Sequence, residues 1–210
     1  MNTPVWDQIY KDFQRGGPAW ATLHGGLEPH FTEFIAKTKF PAKNVFDIGY
    51  GTGRYLQYLK LQGFSVAGID SSQTAHDMAA ESLGGKTKLI VGNMYEHKIP
   101  AKTYDLIMSI STIHHGTKDQ VSKILGRIYE SLISRGYAYI TLPINDSSNQ
   151  WMTFKDKDKI APGTYAPNSG PEKGLPHSFY SKDEVLELFS CYKSLSVDEV
   201  EGRWHITAQK

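Results

Sequence analysis

Cysteine is nearly absent from this sequence. Its 210 residues include one, Cys191, so no disulfide can form within the chain, and the lone thiol is expected to be buried or semi-buried rather than a nucleophile. Charge of one sign is missing too: 23 lysines and arginines stand against 22 aspartates and glutamates, a formal net charge of +1. That balance leaves no electrostatic footprint for a nucleic acid or an anionic membrane, and neither is expected as a partner. No apolar run approaches the about 20 residues of a membrane span. The first residues, Met1-Asn-Thr-Pro-Val-Trp-Asp7, carry neither a basic nor an apolar signal region, so a cytoplasmic protein is expected. Repeats and low-complexity tracts are lacking. The run Lys155-Asp-Lys-Asp-Lys159 neutralises itself and reads as a solvated loop. A chain of this length supports one domain, residues 1–210, around one core.

What the chain does have is alternation. Short runs rich in β-branched residues, at 44–48, 64–69, 87–91, 104–110 and 137–142, read as strands. Between them, 54–61, 74–83 and 118–133 show apolar residues at helical spacing; the last places Val121, Ile124, Leu125, Ile128 and Leu132 on one face. This rhythm predicts right-handed crossovers and an α/β fold: a Rossmann-like, seven-stranded, mostly parallel sheet with helices on both faces. The core is expected over 41–143. Residues 1–40 read as a short N-terminal helical cap with helices at 5–13 and 29–37, joined by a glycine-rich stretch bearing Trp20 and His24.

After Pro143 the rhythm breaks. Residues 144–180 are polar and interrupted by glycines and prolines, and a loop so long suggests a lid over a substrate. Trp151, Phe154, Tyr165 and His177 belong to it, His177 being expected as a surface or capping residue. Residues 181–210 close the chain with a helix, N-capped by Ser181 with Glu184 in the capping-box position, and strands at 194–200 and 203–208.

The first strand ends in Asp47-Ile-Gly-Tyr-Gly-Thr-Gly53 and opens a helix. Glycines let the backbone turn sharply and let a ligand approach the main chain. Asp70, at the end of the next strand and about 20 residues on, stands where a carboxylate can take two hydrogen bonds from a ribose. An adenosine-bearing cofactor follows. The dinucleotide fingerprint is Gly-x-Gly-x-x-Gly; here Gly53 comes one residue early and Asp47 adjoins the loop. A carboxylate there repels a pyrophosphate and suits the α-ammonium of a methionine moiety.

These residues resemble the class I S-adenosylmethionine-dependent methyltransferases. Val45-Phe-Asp-Ile-Gly-Tyr-Gly-Thr-Gly53 is similar to their first motif and Val66-Ala-Gly-Ile-Asp-Ser-Ser72 to their second. Gly92-Asn-Met94, Tyr104-Asp-Leu-Ile-Met-Ser-Ile110 with Ile113-His-His115, and Leu132-Ile-Ser-Arg-Gly-Tyr-Ala-Tyr-Ile140 follow in the family's order. The resemblance implies S-adenosylmethionine as cofactor, with Asp47, Gly49, Gly51 and Gly53 around its methionine part and Asp70 on the ribose. It implies Ser71, Asn93 and Met94 around the adenine, and Ser109 beside the methyl-bearing sulfur. Tyr10, in a Trp-Asp-x-x-Tyr-like segment, and Trp20 would fold over the cofactor. Tyr50 departs from the small residue common there, and its ring either points away or narrows the site.

His114 and His115 follow the fourth strand, on the side where the methyl group is expected. Either serves as a general base or merely shapes the loop. Neither the Asn/Asp-Pro-Pro-aromatic motif of exocyclic-amine enzymes nor a Pro-Cys nucleophile is present. No carboxylate ends the fourth strand to hold magnesium, and no metal site is read. What remains is a small-molecule acceptor, in an enzyme similar to the tellurite- and thiopurine-type methyltransferases and acting as a monomer or homodimer. A nicotinamide-dependent oxidoreductase and a non-catalytic S-adenosylmethionine-binding protein are the competing readings.

Overall fold

The computed structural model describes residues 3–17, 26–85, 87–146 and 156–210. Helices α1 (Thr3–Gln14) and α2 (Pro29–Lys37) precede β1 (Asn44–Ile48), α3 (Arg54–Leu61), β2 (Ser65–Asp70), α4 (Gln73–Leu83), β3 (Lys88–Val91) and β4 (Tyr104–Ser109). There follow α5 (Lys118–Ser131), β5 (Leu132–Pro143), β6 (Lys157–Ala161), β7 (Thr164–Pro167), β8 (His177–Ser178), α6 (Lys182–Leu188), β9 (Ser194–Val200) and β10 (Arg203–Gln209). Seven strands form the main sheet in the order β3-β2-β1-β4-β5-β10-β9. The expected α/β architecture is therefore present. β1 to β5 pair in parallel, and β10 runs antiparallel to both of its neighbours.

The alternation of the sequence explains the two-sided core. β4 is buried at every position. One cluster joins it to α5 and α6, where Val121, Ile124, Leu125 and Ile128 are buried as the helical period requires. Each such side chain contributes roughly 1.5–3 kcal/mol through burial. The other cluster joins the sheet to α2, α3 and α4 through Phe31, Tyr55, Leu56, Leu59, Leu83 and Tyr139. Helix α6 begins with the expected capping box of Ser181 and Glu184, and Glu184 also pairs with Lys118 at the start of α5.

Three expectations need correction. Residues 144–180 hold more than loop: β6, β7 and β8 form a small antiparallel sheet. Gly163, at φ +64°, turns β6 into β7, and the charges of Lys157-Asp-Lys159 alternate along an edge strand instead of a coil. Cys191 is exposed, because Phe189 and Tyr192 on either side take the buried positions after α6. His177 is buried, at 5% exposure, because it ends the small sheet against the main body. Trp20, Trp151 and Phe154 lie outside the described residues.

Candidate active site

The chain turns back at β1: β2 and β3 lie to one side of it, β4 and β5 to the other. A crevice opens at such a switch point, beyond the carboxyl ends of the strands. The glycine loop occupies it. Gly49 and Gly51 have φ of +84° and +54°, which disfavour a side chain. Space forbids one as well. A Cβ on Gly49 would stand 2.2 Å from Thr112 Cγ2, and one on Gly51 2.6 Å from Tyr10 Oη. Gly53 forms the left-handed N-cap of α3, and Ala79 and Leu83 of α4 fill the space beside it.

Asp70 lies at the end of β2 and is 9% exposed. Its Oδ2 accepts from Gly51 N and its Oδ1 from Ser72 N, both at 2.9 Å. The carboxylate thus ties the loop to the start of α4, with Ser71 as a further backbone donor. Asp47 is buried beside it. Burial, and then the Asp70 charge, push the Asp47 carboxyl well above the usual range. Burial also raises Asp70, against the backbone donors that lower it. Two buried acids side by side make a site that favours a cation.

Helix α1 covers this site through three residues, Trp6 and Asp7 side by side and Tyr10 one turn further on. Tyr10 reaches the glycine loop. Asp7 accepts from Ser72 Oγ and Thr74 N, both at 2.9 Å, and pairs with Lys11 at 2.8 Å. Burial works to raise the Asp7 carboxyl, but the bonds from Lys11, Thr74 and Ser72 prevail and hold it well below the usual range. Trp6 packs edge-on against His115 at 4.8 Å between ring centroids. The ring of Tyr50 lies over Gly68, and its hydroxyl meets His76 Nδ1 at 3.0 Å.

The remaining expected residues are placed as follows. Ser71 is buried next to Asp70, and Met94 is buried in the core. Asn93 spends its side chain on its own turn, accepting from Tyr95 N and donating to Glu96. Ser109 is fully buried and its hydroxyl donates to Ile48 O at 3.0 Å. It joins β4 to β1 instead of lining a surface. His114 and His115 are buried with ring centroids 4.0 Å apart, and His177 lies 4.7 Å from His115. Burial, then neighbouring imidazoles and Arg203, push both His114 and His115 well below the usual histidine range. Both rings are neutral at pH 7 and weak bases, which argues against the general-base role.

Beside the loop is a cavity of about 250 Å³. Asp47, Gly49 and Gly51 form one wall; Glu28, Tyr55, Ser111, Arg203 and His205 contribute to the rest. Ser111 has a left-handed φ of +57°, a strained conformation for a residue with a Cβ. Burial brings the Arg203 guanidinium down to about 10, opposed by Glu172 and Glu28, so it stays charged at pH 7. His205 meets Tyr139 Oη at 2.9 Å, and burial, with His30 and Arg203, lowers it to about 4. Arg203 and His205 were missed in the sequence. Their signal is the antiparallel course of β10: Arg203 pairs with Pro143, so the strand begins where the parallel strands end. Polar residues at the start of such a strand face the site.

Sheet order, glycine loop and covering helix together define the class I S-adenosylmethionine-dependent methyltransferase fold. A family model described as a methyltransferase domain matches residues 20–190, and the chain belongs to that family. An uncharacterized methyltransferase of Geobacillus sp. (strain WCH70) is 32% identical over 92 residues, 44% of this chain and 43% of the relative. The chain thus spans less than half the length of that relative in the match. Among solved structures, a Methanosarcina mazei S-adenosylmethionine-dependent methyltransferase superposes with a TM-score of 0.68 at 20% identity, over 89% of this chain and 99% of the other. The Burkholderia thailandensis 1,6-didemethyltoxoflavin-N1-methyltransferase, with bound 1,6-didemethyltoxoflavin and S-adenosylhomocysteine, gives 0.69 at 18% identity, over 98% and 87%.

Proposed function

We propose that this protein transfers the methyl group of S-adenosylmethionine to a small-molecule acceptor that arrives as an anion. The observation that carries the reading is the division of charge around one cavity. Asp47 lines it at the glycine loop with the buried Asp70 behind it, and the charged Arg203 lines it from the facing strand with Glu28 and Glu201 on the same side. Asp47 suits the α-ammonium of the methionine part, and Asp70 the ribose hydroxyls. Gly49 and Gly51 give the close backbone approach, Tyr10 closes the loop, and Ser71, Asn93 and Met94 frame the adenine end.

The cofactor supplies an electrophilic methyl group on a sulfonium. The protein's work is then alignment in a water-poor site. Arg203 positions the anionic acceptor; its lone pair forms the new bond to carbon as the carbon–sulfur bond breaks and its electrons pass to sulfur. No proton needs to move. That agrees with His114, His115 and His205 all lying below the ordinary histidine range. A thiolate or an oxyanion fits, which keeps the tellurite- and thiopurine-type likeness as the favoured acceptor class.

A screen of thiols, phenols, carboxylic acids and tellurium and selenium oxyanions, read by S-adenosylhomocysteine release, tests this. Turnover with an anionic acceptor is expected. Arg203→Gln should raise its KM roughly 10–150-fold, the range for a bond to a charged group, with cofactor affinity unchanged. Turnover confined to neutral acceptors, or a KM indifferent to Arg203, would overturn it.

A further inference from the structure

The turn after β4 and the segment leading into β8 meet beneath α1. Ser178 N donates to His114 O at 2.9 Å, and Ser178 Oγ donates to Gly116 O at 2.6 Å. These bonds bring three histidines together from positions 62–63 apart in the chain, and all three are buried. One ring nitrogen from each lies within 4.8 Å of the others. We propose that His114, His115 and His177, with Glu172 as a fourth ligand, form a binding site for a first-row divalent transition metal of zinc type.

Three observations carry this. First, the Nδ1 atoms of His114 and His115 are buried and meet no hydrogen-bond partner. Leaving a buried polar atom unmet costs about 1–3 kcal/mol, and a metal ion meets both lone pairs at once. Second, His177 Nδ1 lies 2.9 Å from Leu175 O. A carbonyl only accepts, so Nδ1 carries the proton and Nε2 is left to bind. Metal-bound histidines are commonly fixed in this way by a backbone carbonyl. Third, His177 Nε2 lies 3.0 Å from Glu172 Oε2. Two acceptor atoms that close need a proton or a cation to reconcile them. With bonds of about 2.0–2.2 Å, neighbouring ligand atoms on one tetrahedral metal stand about 3.3–3.6 Å apart, so this pair need open by only about 0.3–0.6 Å to reach ligand spacing.

Geometry also sets the demands. The nitrogens must draw in by about 1.2–1.5 Å from their widest separation of 4.8 Å, which ring rotation about χ1 and χ2 can supply. The Arg203 charge opposes a cation here, and the Glu172 carboxylate offsets it. Neutral imidazoles with one carboxylate select zinc, iron, nickel or copper over magnesium or calcium. The ion would fasten the small sheet to the end of β4, next to Ser111 in the cavity wall. The proposal stands apart from the methyl-transfer reading, because metal binding is measured without cofactor or acceptor.

The test uses the full chain without an affinity tag, stripped by chelator and titrated with Zn²⁺ alone against a chromophoric competitor. One ion per chain at micromolar affinity or tighter is expected. His177→Gln and His115→Gln should each weaken binding at least about 100-fold, and Glu172→Gln about 10-fold. His97→Gln, outside the cluster, should bind as the parent does. On the unmodified chain, Zn²⁺ should shift the imidazole resonances of His114, His115 and His177 and leave those of His97 in place, a readout that needs no variant to fold. Failure to bind Zn²⁺, undiminished binding by folded His177→Gln, or resonance shifts confined to other histidines would overturn the proposal.

Discussion

Asp70 and its partner Gly51 are 19 positions apart, and the bond between them runs from backbone to side chain. Across the cavity, Tyr139 meets His205 over 66 positions, and the bond joins two side chains. The glycine-loop wall is thus built from short loops, a helix start and glycines whose conformations local sequence dictates. The facing wall is assembled from the end of β4, the turn between β9 and β10, β10 itself and the cap, which only the completed sheet brings together. The first wall is therefore the sensitive one to backbone change, and the second to charge.

The largest expected effect falls on the glycine loop. Gly49→Ala adds a Cβ at a left-handed φ and drives it into Thr112, and should destabilise the fold by about 2–5 kcal/mol. Urea denaturation measures this, and an unchanged midpoint would mean that the loop yields easily. Next, Asp70→Ala should weaken S-adenosylhomocysteine binding by about 1.5–3 kcal/mol in calorimetry. It should lower stability as well, since Gly51 N and Ser72 N lose their acceptor.

Acid should then separate the cap from the facing wall. The Asp7 carboxyl is lowered in the fold, so its contribution is present above the unfolded value of about 3.9 and is lost as pH falls below it. Asp7→Asn should flatten that part of the stability profile and loosen α1, which protease cutting before residue 17 would report. His205 is lowered to about 4, so the unfolded chain takes up its proton first. Its contribution is complete above about 6.5 and declines on acidification from there towards about 4. His205→Gln should remove a slope of about one proton in that window; an identical profile would place His205 in a wetter setting. The smallest effect is expected at exposed Cys191, where Cys191→Ser should change stability by less than about 0.5 kcal/mol.

The same contrast explains what was legible in the sequence. Strand and helix periodicity located the main elements because burial on two faces imposes it, as along α5. The turn at Gly49 and Gly51 and its tie to Asp70 were legible because a tight strand-to-helix loop with left-handed glycines needs those residue types at that spacing. Asp7 was harder to see, since its partners Ser72 and Thr74 lie 65 and 67 positions away. The role of Ser109 was misread because a strand-end serine looks alike whether it faces a ligand or, as here, the carbonyl of Ile48. Arg203, His205 and the burial of His177 were hidden because antiparallel β10 and the small sheet reach the site only through tertiary pairing.

The central claim is that the glycine loop with Asp47 and Asp70 binds the methyl donor. Calorimetric titration of the chain with S-adenosylhomocysteine and, separately, with NAD measures this most directly. One S-adenosylhomocysteine per chain and no heat from NAD is the result expected; saturable NAD binding with no response to S-adenosylhomocysteine would contradict it.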